Sequence, residues 1–445
     1  MAAICRHVWI WLNISLIIGL LNSVIVVYSK EVVLLDSSVE SRSRPSLGWT
    51  TYKSDTRAGE SENLGWMEAT VNKAGETLRT YSSCYVKTSN VDNWLRLPFV
   101  ERGEANSLHI DLTFTMRKCS KITDVTNLQQ CKETFNLYYF EAGSDFANAM
   151  RPSWDGLTYK RIDKIAADKL FVDHKELEYN DETRQIPVTL KGAYFAIQDE
   201  GGCVTLVRVK VYYVTCPNVT VNFAIFDETP TGSKDTNVVM GKGRCVEHAT
   251  KKAELDYLCQ NDGKWYDQPK GECVCNPGYE GNAAQTECTA CPSGQYKWSE
   301  GNGPCETCPE FSYSTGGAAE CTCQLKYYRS PKDPKSKPCT QPPSAPRNPS
   351  IESQTSTSVT LVWEPPTDLG ARLDLNYRIV CQKCNNEVLY TPGWRGFNTT
   401  RVTLSNLEPG KTYEVLIYSE NGVTNVSATT PQSVAVTVIT QSLGE

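Results

Sequence analysis

The run Ile110-Asp111-Leu112-Thr113-Phe114-Thr115-Met116 alternates apolar and polar residues without a break. That is the period of a strand with one face buried and one face wet. Farther along, Leu206-Val207-Arg208-Val209-Lys210-Val211-Tyr212-Tyr213 puts valines on one face and Arg208 and Lys210 on the other. Turn residues punctuate the region at Gly103, Gly143, Asp155-Gly156, Gly192 and Gly201-Gly202. Many short strands between Lys30 and Thr215, with little helical periodicity, predict a β-sandwich over residues 30–215. A parallel α/β sheet would need alternating helices, which this region lacks.

The 445 residues are enough for two to four domains, at roughly 100–200 residues each. Lys and Arg total 45 against 51 Asp and Glu, a net charge of −6. So even a balance offers no large basic surface to nucleic acid or anionic lipid. Only four histidines occur, His7, His109, His174 and His248, against 19 cysteines. None of the histidines sits in a nucleophile-like context, and Gly241-x-Gly243 lacks the third glycine and the helix of a nucleotide loop. The signatures of a kinase are missing from the sequence, and no catalytic residue, metal centre or cofactor is expected.

Arg6 and His7 precede an apolar stretch from Val8 to Tyr28, read as a signal peptide over residues 1–29. Its length leaves a signal anchor as the alternative. Removing it takes Cys5 and leaves 18 cysteines, an even number for pairing in an oxidising compartment. No later run is long and apolar enough for a membrane helix, so the expectation is a secreted, soluble chain. Asn218-Val-Thr220, Asn398-Thr-Thr400 and Asn425-Val-Ser427 are then candidate glycosylation sites, whereas Asn348-Pro-Ser350 is excluded by its proline.

Twelve cysteines fall between Cys216 and Cys339, in a region (216–340) poor in Leu, Ile and Val that must be stapled rather than packed. The spacing of the first four, over 216–273, suits a small sushi-type module pairing Cys216 with Cys259 and Cys245 with Cys273. The next eight, over 275–339, suit a sequential ladder of EGF-like or TNF-receptor-like type. Its pairs would be Cys275 with Cys288, Cys291 with Cys305, Cys308 with Cys321, and Cys323 with Cys339. Spacing alone does not fix connectivity. The Cys-x2-Cys steps at Cys288, Cys305 and Cys381 have zinc-ribbon spacing; for the first two, disulfides are the better reading in this compartment. A Pro-rich linker from Gln341 to Pro346 opens residues 341–440, with a strand at Leu361-Val362-Trp363 and the tyrosine-corner pattern Leu407-Glu408-Pro409-Gly410-Lys411-Thr412-Tyr413. These residues predict a fibronectin type III sandwich, followed by a short tail over 441–445.

Several stretches resemble the ectodomains of the Eph (ephrin receptor) tyrosine kinases. They are Glu31-Val-Val-Leu-Leu-Asp36, Asn93-Trp-Leu-Arg96, Cys131-Lys-Glu-Thr-Phe-Asn-Leu-Tyr-Tyr139 and Val209-Lys-Val-Tyr-Tyr213. The run Cys288-Thr-Ala-Cys-Pro-Ser-Gly-Gln-Tyr-Lys297 is similar to the family's second cysteine-rich module, as are Cys321-Thr-Cys323 and Tyr327-Tyr-Arg329. The resemblance spans residues 31 to 440 in the family's order. It implies a jelly-roll sandwich that binds ephrins, followed by cysteine-rich modules and a fibronectin domain.

It also implies Cys84–Cys203 and Cys119–Cys131 bonds, the first at the mouth of a channel that receives a loop of the ephrin. Arg117 matches the family arginine that meets an acidic residue of that loop. Thr115 lies on its side of the strand, and Thr205 and Val207 would line the opposite wall. The loop from Asp145 to Lys160, with Phe146, Met150 and Trp154, would close over the ligand; local packing is the alternative for these apolar residues. The family's first fibronectin module usually carries two Cys-x2-Cys pairs, and here only Cys381 and Cys384 remain. Ephrins are thus the expected partners, with a homo-oligomer through the cysteine-rich region as a further candidate. A soluble decoy and a receptor fragment are both open. A secreted scaffold without ephrin affinity is the competing class, against which the intact Arg117 stands.

Overall fold

The computed structural model describes residues 29–53, 64–73, 75–86, 90–122, 130–173, 176–233, 236, 238–442 and 444. Residues 1–28 of the signal segment and His174 lie outside the described residues. The chain divides into two compact units, Met1–Arg244 with Ala253–Gly271, and Cys245–Lys252 with Glu272–Glu445.

The first unit is built on two antiparallel sheets. Its strands are β1 (Lys30–Asp36), β2 (Thr50–Lys53), β3 (Met67–Lys73), β4 (Glu76–Cys84), β5 (Asn93–Arg96), β6 (Val100–Glu101), β7 (Ser107–Met116), β8 (Thr134–Ala142), β9 (Lys160–Ala166), β10 (Asn180–Pro187), β11 (Gly192–Asp199) and β12 (Cys203–Cys216). One sheet runs β10-β7-β12-β4-β3, with β1 and Thr229–Pro230 also on β12. The other runs β2-β5-β11-β8-β9, with β6 on β11. Between them lies the core: Leu108, Ile110, Leu112, Phe114 and Met116 of β7 meet Phe135, Leu137, Phe195 and Ile197 of the second sheet. The alternation of β7 therefore has a direct cause, since every second side chain enters this core. A short helix, α1 (Ser37–Ser43), follows β1, and Asp36 caps it by accepting from the Ser38 amide. Five further strands, from Val219 to Lys270, form a small sheet stapled by Cys216–Cys259.

In β12 strict alternation fails. Leu206 faces Phe114 and Arg208 faces Thr113, so a bulge leaves Val207 without a partner on β7. Leu206, Val209 and Val211 enter the core, and Val207 is not among them. The valine face read from the sequence is split at that point.

The second unit carries Cys245–Cys273 and a ladder of four bonds, Cys275–Cys288, Cys291–Cys305, Cys308–Cys321 and Cys323–Cys339, between two-stranded ribbons. Two four-stranded sheets follow, packed on Leu361, Trp363, Tyr377, Ile379, Val415 and Ile417. The Tyr413 hydroxyl accepts from the Glu408 amide at 2.9 Å, closing the tyrosine corner. Cys381 and Cys384 bond to each other. The Pro-rich segment is tied to this sandwich, because Asn421 Nδ2 donates to the Gln341 carbonyl and the Ser419 hydroxyl to that of Ser344.

Candidate functional site

The face of β7 turned away from the core carries Thr113, Thr115 and, just past the strand, Arg117. Pairing extends it across the sheet. Thr115 is the register partner of Thr205 on β12, Thr205 of Ser82 on β4, and Ser82 of Met67 on β3. Ser82 Oγ and Thr205 Oγ1 share a hydrogen bond of 2.8 Å. The next rung holds the Cys84–Cys203 disulfide, and the Arg117 amide donates to the Cys203 carbonyl. Arg117 also forms a parallel bridge with Phe171. Arg117, Thr115 and Thr205 thus share one outward face.

The Arg117 guanidinium has no carboxylate partner among the described residues. One Nη donates to the Lys121 carbonyl at 3.2 Å, while its buried Nε makes no hydrogen bond. Such a group is set to form a bidentate pair with an incoming carboxylate. Beside it, Cys119–Cys131 closes a short loop, and the Cys119 amide donates to Glu133 at 2.8 Å.

Part of this outward face is covered. Thr115 is 2% exposed and Thr113 is 8% exposed, although neither points into the core. The β3–β4 hairpin reaches across the sheet: Lys73 at its tip lies 4.5 Å from the ring centroid of Tyr179, which leads into β10 at the opposite edge. Val207, at the bulge, is 1% exposed and has no surface to offer a ligand. Ser82 and Met67 belong to the face and are not evident from spacing alone. Ser82 could have been found by period two from Cys84.

The rim is held by Asp199, buried at the end of β11. It accepts from the Ser83 hydroxyl at 2.7 Å and from the Gly201 and Gly202 amides. Burial pushes its carboxyl above the ordinary range, and these hydrogen bonds oppose that shift. Gly201, at φ +109°, takes a backbone conformation that only glycine adopts cheaply.

Phe146, Met150 and Trp154 are not brought to this face. Their loop packs on the outside of the other sheet, where Trp94, Tyr138, Tyr159 and Tyr194 form a second apolar cluster. Trp154 stacks on Tyr52 with centroids 5.7 Å apart, and the Arg96 guanidinium lies 4.7 Å from its ring. Arg96 donates to the carbonyls of Asn148 and Arg151, and the Tyr194 hydroxyl accepts from the Phe146 and Ala147 amides. Phe146 and Trp154 therefore pack locally, and Met150 is left 73% exposed.

Asn218, Asn398 and Asn425 are all exposed. Among the described residues no helix is long and apolar enough to cross a membrane, and no cluster of His, Cys, Asp and Glu is arranged to hold a metal ion.

Residues 32–216 match the ephrin receptor ligand binding domain, 217–275 the ephrin cysteine rich domain, and 344–435 the fibronectin type III domain. Residues 278–316 match a model described as tyrosine-protein kinase ephrin type A/B receptor-like. The chain is 37% identical over 428 residues to ephrin type-B receptor 2 of Gallus gallus, covering 92% of this chain and 41% of that protein. It is also 37% identical over 430 residues to ephrin type-A receptor 4-A of Xenopus laevis, covering 93% and 41%. The figures for ephrin type-B receptor 3 of Mus musculus are 36% over 413 residues, covering 88% and 40%. The chain thus spans about two fifths of the length of the curated relatives it matches. A sandwich, a stapled cysteine-rich region and a fibronectin sandwich thus follow in the order of the ephrin receptor ligand binding, ephrin cysteine rich and fibronectin type III domains, and make the chain similar over nine tenths of its length to ephrin receptors.

Proposed function

We propose that the chain is the extracellular, ligand-binding part of an ephrin receptor, and that it takes an ephrin on the outward face of the β10-β7-β12-β4-β3 sheet. The observation that carries this reading is Arg117: a half-buried guanidinium without a carboxylate partner among the described residues, beside a disulfide-clamped rim. An acidic side chain of the ligand would complete the pair, with Thr205 and Ser82 offering hydroxyls next to it. Nine disulfides fit an oxidising, extracellular compartment. Freely released, such a chain would act as a decoy for membrane-anchored ephrins; as part of a longer receptor it would present them to the cell that carries it.

Amide hydrogen exchange of the whole chain, with and without a panel of ephrins, tests where the ligand sits. Protection is expected at residues 82–84, 115–117 and 203–205. Protection confined to residues 145–160 would refute the assignment.

A further inference from the structure

Among the described residues, Cys84–Cys203 is the disulfide that joins direct register partners on adjacent antiparallel strands. Its Cα atoms are 4.0 Å apart, a separation set by the strand ladder; those of the other eight bonds lie 5.6–5.8 Å apart. Cys84 is exposed and Cys203 half-buried, so a thiol in solution can reach the bond. Every other pair except Cys381–Cys384 has at least one buried cysteine.

What the bond holds is short. β4 pairs with β12 only from Tyr81↔Leu206 to Cys84↔Cys203, and β3 joins the sheet only through β4. The disulfide therefore clamps the end of a short ladder, the place where strands fray first. The hairpin beyond it reaches Tyr179 at the far edge of the sheet through Lys73, and Arg117 is bonded to the backbone of Cys203.

We propose that Cys84–Cys203 is a reversible redox site, opened by a dithiol reductant, through which the β3–β4 hairpin is loosened and the face around Arg117 is switched. The switching of ligand binding rests on the function proposed above; the chemistry does not. A thiolate of the dithiol attacks the Cys84 sulfur, and Cys203 leaves as a thiolate and takes a proton. The second thiol of the reductant, as a thiolate, attacks the mixed disulfide and releases Cys84, which is protonated in turn. Two electrons and two protons pass to the protein, and the dithiol leaves as its own disulfide. The three remaining register pairs, Tyr81↔Leu206 to Ser83↔Val204, keep the two thiols close, which favours reclosure on oxidation.

The test titrates the folded whole chain with dithiothreitol, traps free thiols by alkylation and maps them, while amide exchange is read on the same samples. Cys84 and Cys203 should be alkylated at a reductant concentration about tenfold below that needed for any other bond, Cys381–Cys384 included. Exchange at residues 82–84, 117 and 203–205 should rise about tenfold or more and return on reoxidation. Opening together with or after the other bonds would overturn the proposal, as would opening with no change in exchange. A Cys84→Ala/Cys203→Ala variant should reproduce the reduced exchange pattern, and if it fails to fold the wild-type titration decides. Ephrin affinity on the same samples should change with opening; unchanged affinity would overturn the switch. A fully oxidised chain that binds no ephrin would instead refute the proposed function and leave the redox site standing.

Discussion

Asp199 and Arg117 show how much a single residue depends on strands far away in sequence. Asp199 ends β11, yet its carboxylate ties the Gly201-Gly202 turn to Ser83 on β4. Asp199→Ala leaves those donors buried and unsatisfied, and should cost about 1–3 kcal/mol in chemical unfolding. It should also speed exchange at residues 199–203. Asp199→Asn keeps an acceptor oxygen and removes the charge that burial penalises, so its loss should be smaller; an equal loss in both variants would contradict this role. Period two places Thr115 and Arg117 on one face because strand geometry is local. Which residues join them is decided by pairing, so Met67 was not legible and Ser82 only by period two from Cys84. Apolar loop residues read alike whether they meet a ligand or the outside of a sheet. For that reason Phe146 and Trp154 could not be separated from contact residues by sequence, and the bulge at Val207 left no mark in composition.

At the scale of elements, the Pro-rich segment reads as a linker, since prolines and small residues carry no periodicity. Its fixation depends on side chains distant in sequence. The same junction holds Arg372, whose guanidinium is 5% exposed and pairs with Asp333 at 2.6 Å and Asp374 at 2.7 Å. Burial alone would raise the Asp333 carboxyl, but hydrogen bonds from Arg372 and Lys337 outweigh it and hold it at about 2, below the ordinary 3.8. A lowered folded-state pKa contributes stability that is present above pH 3.8 and is lost as pH falls towards 2. Thermal unfolding of the whole chain between pH 6 and pH 2 should thus show the transition of the second unit losing about 2 kcal/mol from this group. Arg372→Ala leaves buried carboxylate behind and should cost about 3–5 kcal/mol at neutral pH, with the acid-dependent part diminished. An unchanged acid profile in the variant would contradict the pairing.

At the scale of the molecule, two kinds of cohesion alternate along the chain. The two sandwiches have apolar cores, whereas residues 275–339 are held mainly by four disulfides. Composition made this division legible, because a segment poor in Leu, Ile and Val cannot bury enough surface to fold unaided. Complete reduction of all nine bonds should therefore abolish exchange protection across 275–339 while strands β7, β8 and β11 remain protected. Equal loss everywhere would mean that the sandwich core does not stand alone. The central claim is that an ephrin is received at Arg117, and it is tested most directly by titrating wild type and Arg117→Glu, as whole chains, against immobilised ephrins with thermal unfolding in parallel. Loss of a desolvated charge partner costs about 2–5 kcal/mol, so the variant should bind at least roughly thirtyfold more weakly while its melting temperature stays within a few degrees. Equal affinities, or a collapsed melting temperature that makes Arg117 a structural residue, would contradict the account.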